Sequence, residues 1–170
     1  MNGFTENRAP GASEQSDRGE RPLTWGDSVA MLPLVGRVAV DVQHHHKRLA
    51  GLRPELARLE RARLNLAWPQ RARRYQVQEE IAVIERELQT AVSELQRLGV
   101  AVLDPNTGLV GFPTVVDDRR AFFSWMPGEE GLGYWNFAGD TSRRPVLPDW
   151  TKPVKTKVRS RGKSRREKKG

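Results

Sequence analysis

The chain contains no cysteine, which excludes disulfides, thiol nucleophiles and thiolate metal sites together. Its three histidines stand side by side as His44-His45-His46, so none lies elsewhere to complete a catalytic or metal-binding set. No glycine-rich phosphate loop and no Ser-His-Asp motif occurs, and neither an enzyme nor a bound cofactor is expected. No apolar run approaches the ~20 residues needed to cross a membrane. The opening Met1-Asn2-Gly3-Phe4-Thr5-Glu6 has no apolar signal region, which points to a cytoplasmic protein without membrane contact. Hydrophobic residues make up only 37% of the 170, so part of the length should lie outside any core.

What is present is unevenly distributed. The net charge of +8 belongs to one end, because residues 151–170 hold ten Lys and Arg against one Glu. Everything before Thr151 is close to neutral. Residues 1–22 are rich in Gly, Ser, Asn, Glu and Pro, with almost nothing to bury, and read as a disordered segment. Residues 151–170 read as a disordered basic tail. A single domain is expected over 23–150.

Thr24 followed by Asp27 fits a capping box, so a helix should begin near Trp25. Val35, Val38, Val42, His45, Leu49, Leu52, Leu56, Leu59, Arg63 and Leu66 then follow a 3–4 spacing without a slip. That is a heptad seam, made to pack on a partner helix. Pro33 and Pro54 each lack an amide, but both fall opposite the seam, where proline bends a helix rather than ending it. Ala67-Trp68-Pro69 breaks the pattern, with Pro69 suited to a first helical position. Val77, Ile81, Ile84, Leu88, Ala91, Leu95 and Leu98 form a second seam, stopped by Gly99. So short a connection forces an antiparallel αα-hairpin. Folding about residues 67–70 sets His45 near Ala91 and Arg63 opposite Arg74. The first helix overshoots the second by about four turns and needs a further surface to pack on.

Val100–Leu103 and Leu109–Phe112 read as strands around an Asp104–Gly108 turn. Arg120–Met126 and Leu132–Phe137 read as a second pair around Pro127–Gly131. Alternation puts Phe123 and Trp125 on one face of their strand and Trp135 and Phe137 on one face of the next. That aromatic face should bury itself under the first turns of the leading helix. The expected fold is α+β: a long helical hairpin, then an antiparallel β-unit of about four strands.

The pieces Leu23-Thr24, Leu32-Pro33-Leu34, Gly108-Leu109-Val110, Phe112-Pro113, Trp125, Gly128-Glu129 and Gly133-Tyr134-Trp135 resemble an uncharacterised bacterial family, domain-of-unknown-function family 2203. The resemblance spans roughly residues 23–147. Family members commonly look like G-L-V-D-F-P, C-W-R and W-H where this chain has Gly111, Ser124, Met126 and Asn136. The resemblance therefore implies that any catalytic or metal-binding set built from those Asp, Cys, Arg and His positions is missing here.

Consecutive helical residues point about 100° apart, so His44, His45 and His46 cannot share an ion on a regular helix; His45 is expected to pack in the seam. Glu129 and Glu130, neighbours in a turn, are expected to be solvated. The candidate contact residues lie at two basic places. Arg61, Arg63, Trp68, Arg71, Arg73 and Arg74 cluster at the hairpin tip with Tyr75 and no acid among them, a basic-aromatic surface on which a base can stack. The bland alternative pairs those arginines with Glu60, Glu79 and Glu80. Lys155, Lys157, Arg159, Arg161, Lys163, Arg165, Arg166, Lys168 and Lys169 line the tail, which can displace phosphate counterions without reading sequence. The expected function is non-catalytic binding to RNA or a ribonucleoprotein. The rivals are an acidic protein partner, an adaptor or self-associating scaffold using the hairpin, and an enzyme or metal protein built on the aromatic unit. Oligomeric state is not legible.

Overall fold

Thr24 starts the first helix by the reciprocal bonds expected of it. Its hydroxyl accepts from the Asp27 amide at 3.1 Å, and the Asp27 carboxylate accepts from the Thr24 amide at 3.1 Å. In the computed structural model, which describes residues 21–152, helix α1 then runs without interruption from Trp25 to Arg61. Pro33 and Pro54 lie inside it, both exposed, as their place opposite the seam requires. A short 3-10 turn, Arg63–Asn65, leads into α2, Trp68–Arg97. Gly99, at φ +75°, ends α2. Its amide donates to the Gln96 carbonyl and that of Val100 to the Leu95 carbonyl, at 3.0 and 2.9 Å, closing a Schellman motif. No helix among the described residues is long and apolar enough to cross a membrane.

The hairpin seam closes over two clusters. Leu49, Leu59, Leu66, Val77, Ile81 and Ile84 form the distal one. Val35, Val38, Ala39, Val42, Ala91 and Leu95 join the sheet in the proximal one. His45 sits part-buried between them, its Nδ1 3.5 Å from the Glu87 carboxylate, a partner the seam pattern did not reveal.

Five antiparallel strands follow as a simple meander, β1 to β5 in order. They are β1 Ala101–Asp104, β2 Leu109–Val116, β3 Arg119–Trp125, β4 Tyr134–Phe137 and β5 Arg144–Pro145. The two expected pairs are present, joined by a ladder the sequence did not announce: β2 and β3 pair over seven positions, from Val110↔Trp125 to Val116↔Arg119. Their turn is Asp117-Asp118, with φ of 51° and 57°. Two positive φ values are the type I′ pattern, for which Asp is tolerated though Asn-Gly is the usual signature. Pro113 looked like a strand end but lies inside β2. Its carbonyl accepts from the Leu23 amide at 2.7 Å, so its nitrogen also points away from β3 and no ladder bond to β3 is lost. β1 reaches only as far as Gly111.

Alternation sorts the sheet into two faces. Val110, Phe112, Phe123, Trp125 and Trp135 pack with Val35 and Val38 of α1; burying each such side chain stabilises by roughly 1.5–3 kcal/mol. The Trp25 indole donates to the Leu132 carbonyl at 3.0 Å, tying the overhanging start of α1 to the sheet. Gly111, Phe122, Ser124, Met126 and Asn136 share the opposite face. A 3-10 turn, Pro148–Thr151, brings Trp150 against Trp135, with ring centres 5.3 Å apart. The expectations for 1–20 and 153–170, including every lysine and arginine of the tail from Lys155 to Lys169, fall outside the described residues.

Candidate functional site

The hairpin tip sorts its arginines into two kinds. Arg73, on α2, grips Glu55 of α1 with two bonds, Nε to Oε1 at 2.8 Å and Nη2 to Oε2 at 3.1 Å. Its Nη1 reaches Glu80 at 3.2 Å. Hydrogen bonding to Arg73 holds the Glu55 carboxyl below its ordinary value, and the same bond raises Arg73. Arg74 donates to Glu60 at 2.6 Å and lies over the Tyr75 ring, 4.6 Å from its centre. The bond to Glu60 raises Arg74 in turn. These two residues clasp the helices together.

Arg63 does not oppose Arg74. Helix α1 ends at Arg61, so Arg63 leaves the seam for the 3-10 turn and is exposed, while Glu60 occupies the place facing Arg74. Like-charge opposition is thereby replaced by an ion pair. The alternative reading was correct for Glu60 and Glu80, but Glu79 takes no part.

Arg61, Arg63 and Arg71 are exposed and meet no carboxylate among the described residues. Beside them Leu64 is 90% exposed, Trp68 74% and Tyr75 62%. A tryptophan normally buries most of its surface; here nothing covers it. Three exposed guanidinium groups and an uncovered indole at one hairpin tip can stack on a flat ring and neutralise phosphates.

The outer face of the sheet is closed in a different way. Arg143, from the segment between β4 and β5, donates Nε to the Ser124 hydroxyl at 3.1 Å and Nη2 to the Ser124 carbonyl at 2.9 Å. It also meets both oxygens of Glu129, at 2.7 and 2.9 Å. Glu129 further accepts from the Met126 amide at 3.0 Å. The expectation that Glu129 is solvated is therefore wrong: it is half-buried and ion-paired, whereas Glu130 is exposed. Sequence reading missed Arg143 altogether, since fourteen residues and no periodic relation separate it from Glu129.

Gly111, Ser124, Met126 and Asn136 come together on this face, with Gly111 paired to Ser124 and Asn136 paired to Phe122. A Cβ on Gly111 would stand 2.9 Å from Leu103 and from the Phe122 ring, so packed apolar groups fill the space that a larger side chain would need. Among the described residues no group of three or more His, Cys, Asp or Glu is placed to hold a metal ion.

One family model, "Uncharacterized conserved protein (DUF2203)", matches residues 23–146. The chain belongs to that family. No curated protein and no solved structure matches it. The match runs from the residue before the capping box to the residue after β5, so the DUF2203 unit comprises hairpin and sheet together. Both the free-arginine tip and the Arg143 clasp lie within it.

Proposed function

We propose that this DUF2203 protein is a non-catalytic, cytoplasmic binding protein that contacts RNA or a ribonucleoprotein surface through its hairpin tip and its basic segment 151–170. The observation that carries the reading is Trp68, uncovered at 74% among Arg61, Arg63 and Arg71. An indole exposed to this extent gains by accepting a base, worth about 1–3 kcal/mol per stacked base. At 30 residues, α2 is about 45 Å long, and its last turns, with Ala91 and Leu95, pack in the sheet cluster, so the tip stands clear at the other end of the helix. Ten cations in the last twenty residues supply a sequence-independent, salt-sensitive attraction to phosphates.

The test is a titration of labelled single-stranded RNA with the full chain, with a version ending at Trp150, and with Trp68→Ala, across salt. The full chain should bind with a steep salt dependence and the shortened one with a shallow one. Trp68→Ala should weaken binding without altering the slope. Equal, weak, salt-insensitive binding by all three would remove the reading. A protein partner is the second reading, favoured by the exposed Val29, Leu34 and Val40 on α1. Replacing those three with Ser should leave RNA binding intact.

A further inference from the structure

A pocket of about 480 Å³ opens on the sheet face turned away from the helices. Leu103, Leu109, Phe122 and Met126 form its apolar wall, and Asn136 and Arg143 its polar end. Neither belongs to the hairpin tip.

Asn136 distinguishes this pocket from a mere surface dent. Its Nδ2 donates to the carbonyls of Phe137 at 3.1 Å and Asp140 at 3.0 Å. With both amide hydrogens taken by carbonyl oxygens, the orientation of the amide is settled. Oδ1 is left buried without a partner, in a side chain only 5% exposed. A buried acceptor without a donor is costly and rare, and a ligand bringing an N–H would satisfy it. Oδ1 is closed to solvent in this state. A donor therefore reaches it only when a neighbouring side chain gives way; the flexible Met126 stands on the same pocket wall.

Charge decides the ligand class. Arg143 suggests an anion, but both oxygens of Glu129 already neutralise it. Asp140, also on the wall, is paired with Arg144 at 2.9 Å. Asp104 accepts from the Asn106 amide and the Thr107 hydroxyl, and no cation pairs with it among the described residues. The pocket therefore leans negative around an apolar wall. We propose that it binds a small planar molecule, neutral or cationic, that carries an N–H donor: an amide, amidine or amino-substituted heterocycle. Its ring lies on Phe122 and its donor meets Asn136 Oδ1.

Benzamide, benzamidine and benzoate share one ring and differ in the group that would face Asn136. Each is titrated into the full-length protein, followed by isothermal calorimetry and by NMR shifts of the backbone around Phe122, Met126 and Asn136. Benzamide and benzamidine should bind and shift those signals, with benzoate weaker by roughly tenfold, as loss of one buried hydrogen bond predicts. Asn136→Leu should erase the difference between benzamide and benzoate. Should that variant fail to fold, Met126→Trp, which fills the pocket and leaves the bonds of Asn136 alone, should abolish benzamide binding while RNA binding persists. Benzoate binding as tightly as benzamide, benzamide binding unchanged in Met126→Trp, or no binding by any of the three at millimolar concentration would each overturn the proposal.

Discussion

Arg143 and Glu129 meet through two parallel bonds of 2.7 and 2.9 Å, joining the turn after β3 to the segment before β5. The same guanidinium lies 4.6 Å over the Tyr134 ring and holds the side chain and carbonyl of Ser124. One residue thus fastens three parts of the outer face. Removing it leaves Glu129 half-buried with only the Met126 amide as a strong partner. Arg143→Leu should destabilise the protein by about 2 kcal/mol, in the range for charged hydrogen bonds, measured by urea unfolding. Glu129→Gln should cost a similar amount, and the double variant should cost less than their sum.

Arg74 and Arg63 make a second comparison. Arg74 is largely covered, its side chain 14% exposed, and bound to Glu60; Arg63 is exposed and meets no carboxylate among the described residues. Arg74→Leu should lower stability measurably, through loss of the charge-assisted bond to Glu60. Arg63→Leu should stay within about 0.5 kcal/mol of the parent while weakening RNA binding. The reverse ranking in thermal unfolding would mean that Arg63 returns to the seam in solution.

Gly111 is closed by sterics rather than by backbone conformation. Gly111→Ala should cost about 1–3 kcal/mol, because the new methyl meets Leu103 and Phe122 at 2.9 Å. Phe122→Ala should relieve the part of that cost due to its ring, so unfolding of the double variant should be less than additive. Gly99→Ala offers a control: nothing stands within 4 Å of its added carbon, leaving only the left-handed backbone penalty of about 1 kcal/mol.

Acid should loosen the helical hairpin. The Asp27 carboxyl is held below its ordinary value by the Thr24 hydroxyl and amide, and that of Glu55 by Arg73. A depressed carboxyl contributes stability that is present above its unfolded value and lost as pH falls through the folded one. The unfolded values are near 3.8 and 4.5, so helical signal should begin to weaken below about pH 4.5. Glu55→Gln should flatten that slope, as followed by circular dichroism against urea at each pH.

How much of this was legible follows the range of each interaction. The capping box, the two seams, the Gly99 stop and the buried aromatic face depend on neighbours within four residues or on strict alternation. They could be read directly. Pro113 misled, because a strand interior tolerates proline only on an unpaired side, and pairing is not a local property; the Asp117-Asp118 turn went unread for want of an Asn-Gly signature. Among the candidate contact residues, the six of the tip lie at the end of the hairpin, but Arg63 sits in the 3-10 turn rather than in the seam. Which of them are exposed could not be told, since Glu55 and Glu60 approach Arg73 and Arg74 across the fold of the hairpin, while Glu80 reaches Arg73 along α2 itself.

The sequence by itself determined the hairpin, the aromatic sheet and the family, because periodic burial and short-range hydrogen bonds are written in spacing. Only the tertiary structure decided that Arg61, Arg63 and Arg71 meet no carboxylate among the described residues, that Glu129 is bound, and that Asn136 Oδ1 is buried among them without a partner. Those outcomes depend on which side chains meet after the chain has folded, and charges fourteen or eighteen residues apart carry no mark of the encounter.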